Sequence, residues 1–126
     1  MEIKENLKYT KEHEWVRVEN EVATMGITDY AQGELGDVVF VELPQVGTQV
    51  EQMKPFGVIE AVKAVSDMFS PLSGEVIEVN QRLESEAGII NKDPYGEGWI
   101  IKIKMNDTKE LDNLISAGDY KKLIGK

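Results

Sequence analysis

Lys63 lies in the run GVIEAVKAVSDMFSP, residues 57–71, between two short apolar stretches, with Glu60 before it and Asp67 after it. A lysine amine can act as a nucleophile only when neutral, a state that burial or a cationic neighbour supplies. Glu60 and Asp67 are both anionic and favour the charged ammonium instead. A self-activated lysine is therefore disfavoured. A lysine acylated by a separate enzyme has other needs: a tight, stiff turn, small neighbours and a readable flank. The modifying enzyme then brings the activated acyl group. Ala61, Val62 and Ala64 are small enough to leave the side chain free. The competing reading is a surface lysine that merely keeps the turn solvated, since lysine is exposed nearly everywhere.

The remaining candidates are fewer. His13 is the only histidine and the chain has no cysteine. One imidazole without thiolates makes no metal cluster, and no oriented partner marks His13 as a general base, so packing and hydrogen bonding beside Trp15 is the favoured role. No catalytic residue and no metal ligand is assigned. Trp15 and Trp99 read as buried anchors, because aromatic side chains mainly supply buried area. The glycines read as turn and bend positions, and none falls in a phosphate-cradling motif.

These residues need a scaffold, and most of the chain reads as short strands. Glu14–Val18 alternates in polarity, breaks at Glu19-Asn20-Glu21 and resumes from Val22 to Ile27, the pattern of a hairpin. Thr28 or Asp29 caps one short helix, Tyr30 onward, ending at Gly33 or Gly36. Strands follow over Asp37–Glu42, Gly57–Ala61, Val65–Ser70, Glu75–Val79 and Trp99–Met105, separated by Pro-, Gly- and Asn-rich turns. The tail differs: Thr108 is a candidate cap for a helix carrying Leu111, Leu114 and Ile115. Ser116 and Asp119 resemble a capping box ahead of Tyr120, Leu123 and Ile124. Helices over about 107–126 would then pack as lids on the sheet. Gly36–Val41 echoes Gly74–Val79, and Gly47–Glu51 echoes Asn80–Glu84, each ahead of a glycine and an apolar run. Two such echoes in one order suggest all-β halves related by a pseudo-twofold, a sandwich or flattened barrel, with Lys63 in the turn between them.

Composition narrows the partners. The 126 residues are expected to form one domain, and a hydrophobic content of 41% suits a globular core. A formal charge of −9 without a basic stripe argues against nucleic acid and anionic membranes. No apolar run approaches a membrane span. The absence of cysteine fits a reducing compartment, and MEIKENLKYTKEHEW has no apolar segment, so no signal or transit peptide is read there. The expectation is a cytoplasmic chain.

Taken together, Glu60–Asp67 followed by Ser70-Pro71-Leu72-Ser73-Gly74-Glu75-Val76 resembles the lipoyl-attachment segment of the glycine cleavage system H proteins. The resemblance extends across almost the whole chain. It includes Tyr9-Thr10, His13-Glu14-Trp15, Gly26–Ala31, Leu35-Gly36-Asp37, Val41–Pro44, and Asn91, Asp93–Gly96, Gly98 and Trp99. Ala61 stands where many members carry serine.

The resemblance implies a lipoyl/biotinyl-type barrel-sandwich fold and a carrier rather than an enzyme, with lipoic acid in amide linkage to Lys63. Glu60 and Asp67 would flank the turn that a lipoate ligase or lipoyl/octanoyl transferase recognises. It further implies a shuttle among three enzymes: a pyridoxal-phosphate glycine decarboxylase, a tetrahydrofolate-dependent aminomethyltransferase and a flavin-dependent dihydrolipoamide dehydrogenase. The loaded arm of the family folds into a surface cleft, where Glu12, His13 and Glu14, with Asp67, are candidates to hold its amine. Net negative charge suits transient docking to basic surfaces, and a monomer is expected. Rivals stay open. A biotinyl domain typically places methionine on both sides of its lysine, unlike Val62 and Ala64. A lipoyl domain of a 2-oxoacid dehydrogenase usually carries linkers and further domains. An H-like protein that relays lipoyl groups to other enzymes, or an unmodified interaction module, would share these residues.

Overall fold

Alternation from Glu14 onward does build a hairpin. In the computed structural model, which describes residues 1–126, strands β2 (Glu14–Glu19) and β3 (Val22–Ile27) pair antiparallel from Glu14 opposite Ile27 to Glu19 opposite Val22. Asn20 makes the reversal at φ 59°, a left-handed conformation that asparagine tolerates better than most residues. A short strand β1 (Lys8–Tyr9) adds to the outer side of β2.

Thr28 then starts helix α1 (Asp29–Leu35), its hydroxyl accepting the Ala31 N–H at 3.1 Å. The helix stops at Gly36, whose φ of 81° is costly for any residue with a Cβ. The chain continues as β4 (Val38–Glu42), β5 (Gln49–Val50), β6 (Pro55–Ala61), β7 (Val65–Phe69) and β8 (Gly74–Val79). Two single-turn helices, α2 (Arg82–Ser85) and α3 (Ile89–Lys92), precede β9 (Ile101–Met105). A 3-10 helix over Thr108–Asn113 and helix α4 (Ala117–Leu123) complete the chain.

The strands form two sheets, one of six in the order β1-β2-β3-β9-β8-β5 and one of three in the order β4-β6-β7. It is a flattened barrel-sandwich rather than a closed barrel. Inward-facing residues of both sheets make one core, among them Met25, Ile101 and Ile103 from the larger sheet and Val41, Ile59 and Met68 from the smaller. A second cluster, Leu7, Tyr9, Trp15, Tyr95, Ala117 and Tyr120, docks α4 against β1 and β2. Ser116 caps α4 by accepting the Asp119 N–H at 3.1 Å.

Several sequence expectations need correction. The first echo lands on strands of opposite sheets, β4 at the edge of the smaller and β8 inside the larger. The second does not hold: Gln49–Val50 is strand whereas Arg82–Ser85 is helix, and Gly57–Ile59 lies in β6 whereas Ile89–Lys92 is helical. The cap after residue 105 is Asp107, accepting the Lys109 N–H, and the turn it starts is 3-10. Trp15 is fully buried and donates its indole N–H to the Pro94 carbonyl at 2.9 Å. Trp99 is only half-buried, because one face is left for the Lys102 ammonium 5.3 Å from the ring centre.

Candidate functional site

Lys63 occupies the tip of the β6–β7 hairpin. Glu60 pairs with Val65, and the Ala61 N–H donates to the Ala64 carbonyl at 2.8 Å, which leaves Val62 and Lys63 as the connecting residues. The Val62 N–H donates to the Asp37 carbonyl at 2.9 Å and Val38 pairs with Ala61, so the tip is bound to the start of β4. Val62, Lys63, Ala64 and Val65 are all exposed. Backbone holds this turn while its side chains remain free.

The Lys63 stem is laid across Gly36. A Cβ built on Gly36 would stand 2.7 Å from Lys63 Cε, so a methyl there would oblige the end of the lysine side chain to move aside. Gly36 directly follows Leu35, and Leu35 lines a cleft of about 290 Å³. Tyr30, Ala31, Glu34 and Leu35 of α1 form one wall of that cleft. Opposite them stand Glu12, His13, Glu14 and Ile27, with Ile59 from β6 and Ser66, Asp67 and Met68 from β7. Four carboxyl groups line it, and no lysine or arginine does.

The structure therefore brings Glu12, His13, Glu14 and Asp67 together, from positions more than fifty residues apart in the chain. Glu60 is not among them. It sits half-buried in β6, between Phe40 on β4 and Val65 on β7, so the two acids flanking Lys63 face different surroundings. Tyr30 and Glu34 escaped notice in the sequence. Their i,i+4 spacing, repeated by Ala31 and Leu35, puts all four on one helix face, and that spacing was the available signal.

Glu14 is the most unusual of the group, at 2% exposure. Its carboxylate accepts from the Thr10 hydroxyl at 2.5 Å and from the Phe69 N–H at 3.3 Å. Burial raises its pKa to about 8, more than these two hydrogen bonds lower it. Neighbouring Glu12 pushes in the same direction as burial.

His13 holds the corner. Its φ of 67° turns the chain between Thr10 and Glu14, and its carbonyl accepts the Thr28 N–H at 3.0 Å. Its partner is Tyr120 of α4 rather than Trp15, with Nδ1 2.9 Å from the phenol oxygen and the ring against Tyr30 and Tyr120. The same phenol lies 2.7 Å from the Thr28 hydroxyl. Burial pulls the His13 pKa below its usual range, opposed by Glu12 and Glu34. At neutral pH the ring is an uncharged wall of the cleft.

Comparison with known proteins settles the family. Residues 7–126 match the family model described as "Glycine cleavage H-protein". The chain belongs to this family. It is 51% identical over 126 residues to the glycine cleavage system H protein of Staphylococcus carnosus, covering all of both chains. It is 52% identical to that of Geobacillus kaustophilus, over 100% of this chain and 99% of the relative. The crystal structure of a glycine cleavage system H protein from Mycobacterium marinum superimposes with a TM-score of 0.91 at 35% identity, over 98% of this chain and all of that one. No helix of the family member described here is long and apolar enough to cross a membrane.

Proposed function

We infer that the chain is the lipoyl-bearing carrier of glycine cleavage, acylated at Lys63 and serving three partner enzymes in turn. The observation that carries the reading is the pairing of an exposed lysine on a backbone-locked hairpin with an acidic cleft beside its stem. Attachment needs only that Lys63 reach the active site of a lipoate ligase or lipoyl/octanoyl transferase. The Nζ–acyl bond forms and the bond from the acyl carbon to its activating group breaks; the nitrogen sheds two protons, one from the ammonium before attack and one as the amide forms, to the modifying enzyme, the leaving group or water. When bound, lipoate supplies a disulfide that can be opened to hold an aminomethyl group and closed again after release.

The residues of the chain contribute presentation and shelter. Small neighbours, Ala61 and Ala64, leave the approach to Nζ open, and the Asp37–Val62 bond holds the tip in register. In the cleft, Ile27, Leu35, Ile59 and Met68 exclude water, which protects a group prone to hydrolysis. Asp67, Glu12 and Glu34 attract a cationic amine. Because Glu14 is largely protonated near neutral pH, an ammonium placed against it would favour release of that proton to solvent.

The partners proposed are glycine decarboxylase, the tetrahydrofolate-dependent aminomethyltransferase and dihydrolipoamide dehydrogenase. Intact-mass analysis of chain produced in a lipoate-competent host, with peptide mapping, is expected to show one lipoyl group at Lys63. Lys63→Arg is expected to keep the fold and lose all exchange of the glycine carboxyl with carbon dioxide by the purified decarboxylase. Exchange that survived in that variant would sink the carrier reading.

A further inference from the structure

The element that holds the lysine turn is itself held by a side chain from elsewhere. Asn91 lies in α3, and its amide makes three hydrogen bonds to the elbow between α1 and β4, using both of its donors and one lone pair of its oxygen. Oδ1 accepts the Val38 N–H at 2.8 Å. Nδ2 donates to the Gly36 carbonyl at 2.9 Å and to Gln32 Oε1 at 2.9 Å. Between the two clipped backbone groups lies Asp37, whose carbonyl receives the Val62 N–H. Gly36 carries the Lys63 stem. Two short paths thus link Asn91 to the lysine: one hydrogen bond to Gly36 followed by a van der Waals contact, and two hydrogen bonds by way of the elbow to Val62.

The local chain cannot do this alone. Gly36 at φ 81° is the most freely rotating residue type, and the register of β4 against β6 shifts between Val38 and Phe40. An elbow built from a left-handed glycine and a bulge has many alternatives to its native form. A three-pronged amide removes them, and the prongs fix the orientation of the amide as well. We propose that Asn91 is a positioning residue for acylation of Lys63, acting through the Gly36–Val38 elbow on the Val62–Lys63 turn. This inference rests on the carrier reading above. Loss of Asn91 lowers the fraction of molecules whose turn is competent, and the apparent affinity for the modifying enzyme falls by that fraction.

The test uses the full unmodified chain, an ATP-dependent lipoate ligase, saturating lipoate and ATP, and intact mass as the readout. Asn91→Ala is expected to raise KM for the carrier about tenfold while kcat stays within about twofold. In hydrogen exchange, the Val62 amide is expected to lose protection in the same variant. Asn91→Asp keeps the acceptor for Val38 and sets an oxygen against the Gly36 carbonyl, so it should move KM in the same direction and serves if the alanine variant does not fold. Ile103→Val lowers stability in the shared core without touching the elbow, and its KM should match the wild type at equal loss of melting temperature. An unchanged KM in both Asn91 variants, or an equal rise in Ile103→Val, overturns the proposal. Wild-type chain that takes no lipoyl group overturns the carrier reading instead, so the two failures are distinguishable.

Discussion

The Lys63 turn and the His13–Glu14 corner lie near each other and are built by opposite means. At the turn the hydrogen bonds run between backbone groups, from Ala61 to Ala64 and from Val62 to Asp37, and four consecutive side chains stand in solvent. At the corner the side chains are tied down: Glu14 to Thr10 and Phe69, His13 to Tyr120, and Tyr120 to Thr28. Presenting a group for modification requires a stiff backbone and an unhindered side chain. Sheltering one requires side chains already fixed and desolvated, which costs stability wherever a carboxyl group is buried. The first region should therefore tolerate substitution without unfolding, and the second should not.

Substitutions can break this contrast in a graded way. Lys63→Arg should abolish lipoyl attachment entirely while leaving the melting temperature within about 2 °C, because an exposed side chain on a backbone-held turn contributes little to stability. Glu14→Ala should cost about 2–3 kcal/mol in urea titrations at pH 6, since it leaves the Thr10 hydroxyl and the Phe69 N–H facing a void. The pH profile sharpens the same point. The Glu14 pKa is raised from 4.5 to about 8 on folding, so the native state keeps a proton that the unfolded chain releases. Its contribution is fully present below pH 4.5 and is lost as pH climbs to about 8, at up to about 1.4 kcal/mol per pH unit. Glu14→Gln should flatten that slope, as read from urea midpoints between pH 5 and pH 9.

Smaller effects come next. Thr28→Ala removes both the cap of α1 and a partner of Tyr120, and should lower stability by about 1–2 kcal/mol in the same titration. Val65→Ala, beside the lysine and exposed, should stay within about 0.5 kcal/mol. A result in which Val65→Ala destabilised more than Thr28→Ala would erase the distinction between the two regions.

Much of the scaffold was legible because side-chain periodicity is a local property. The β2–β3 hairpin, β6, β7, β8 and β9 each carry enough alternation or β-branched content to announce themselves, and Thr28 and Ser116 announce the two longer helices by cap chemistry. Strands β1 and β5 are two residues each, too short for any period to register. Helices α2 and α3 begin at Gln81 and Gly88, neither of which makes a side-chain capping bond, so no start signal exists in their sequence. Asn91 was legible as a turn residue and as part of the family resemblance, but not as a clip on the elbow. Its three partners lie 53 to 59 positions away, and nothing in the neighbouring residues points to them.

Local residues alone specify the Lys63 hairpin: a lysine among small residues, between two strand-forming runs and followed by Ser70-Pro71-Leu72-Ser73-Gly74, marks an exposed turn, because turn chemistry and strand propensity act over a few residues. The acidic cleft is a product of long-range packing. The cleft exists only where α1, the His13 turn, β3, β6 and β7 converge, and the neutral state of Glu14 is set by how far those elements exclude water. Desolvation depends on every atom within several ångströms, whatever its position in the chain. A lone Glu14 in a list of residues is an ordinary acid, and packing makes it a proton-holding one.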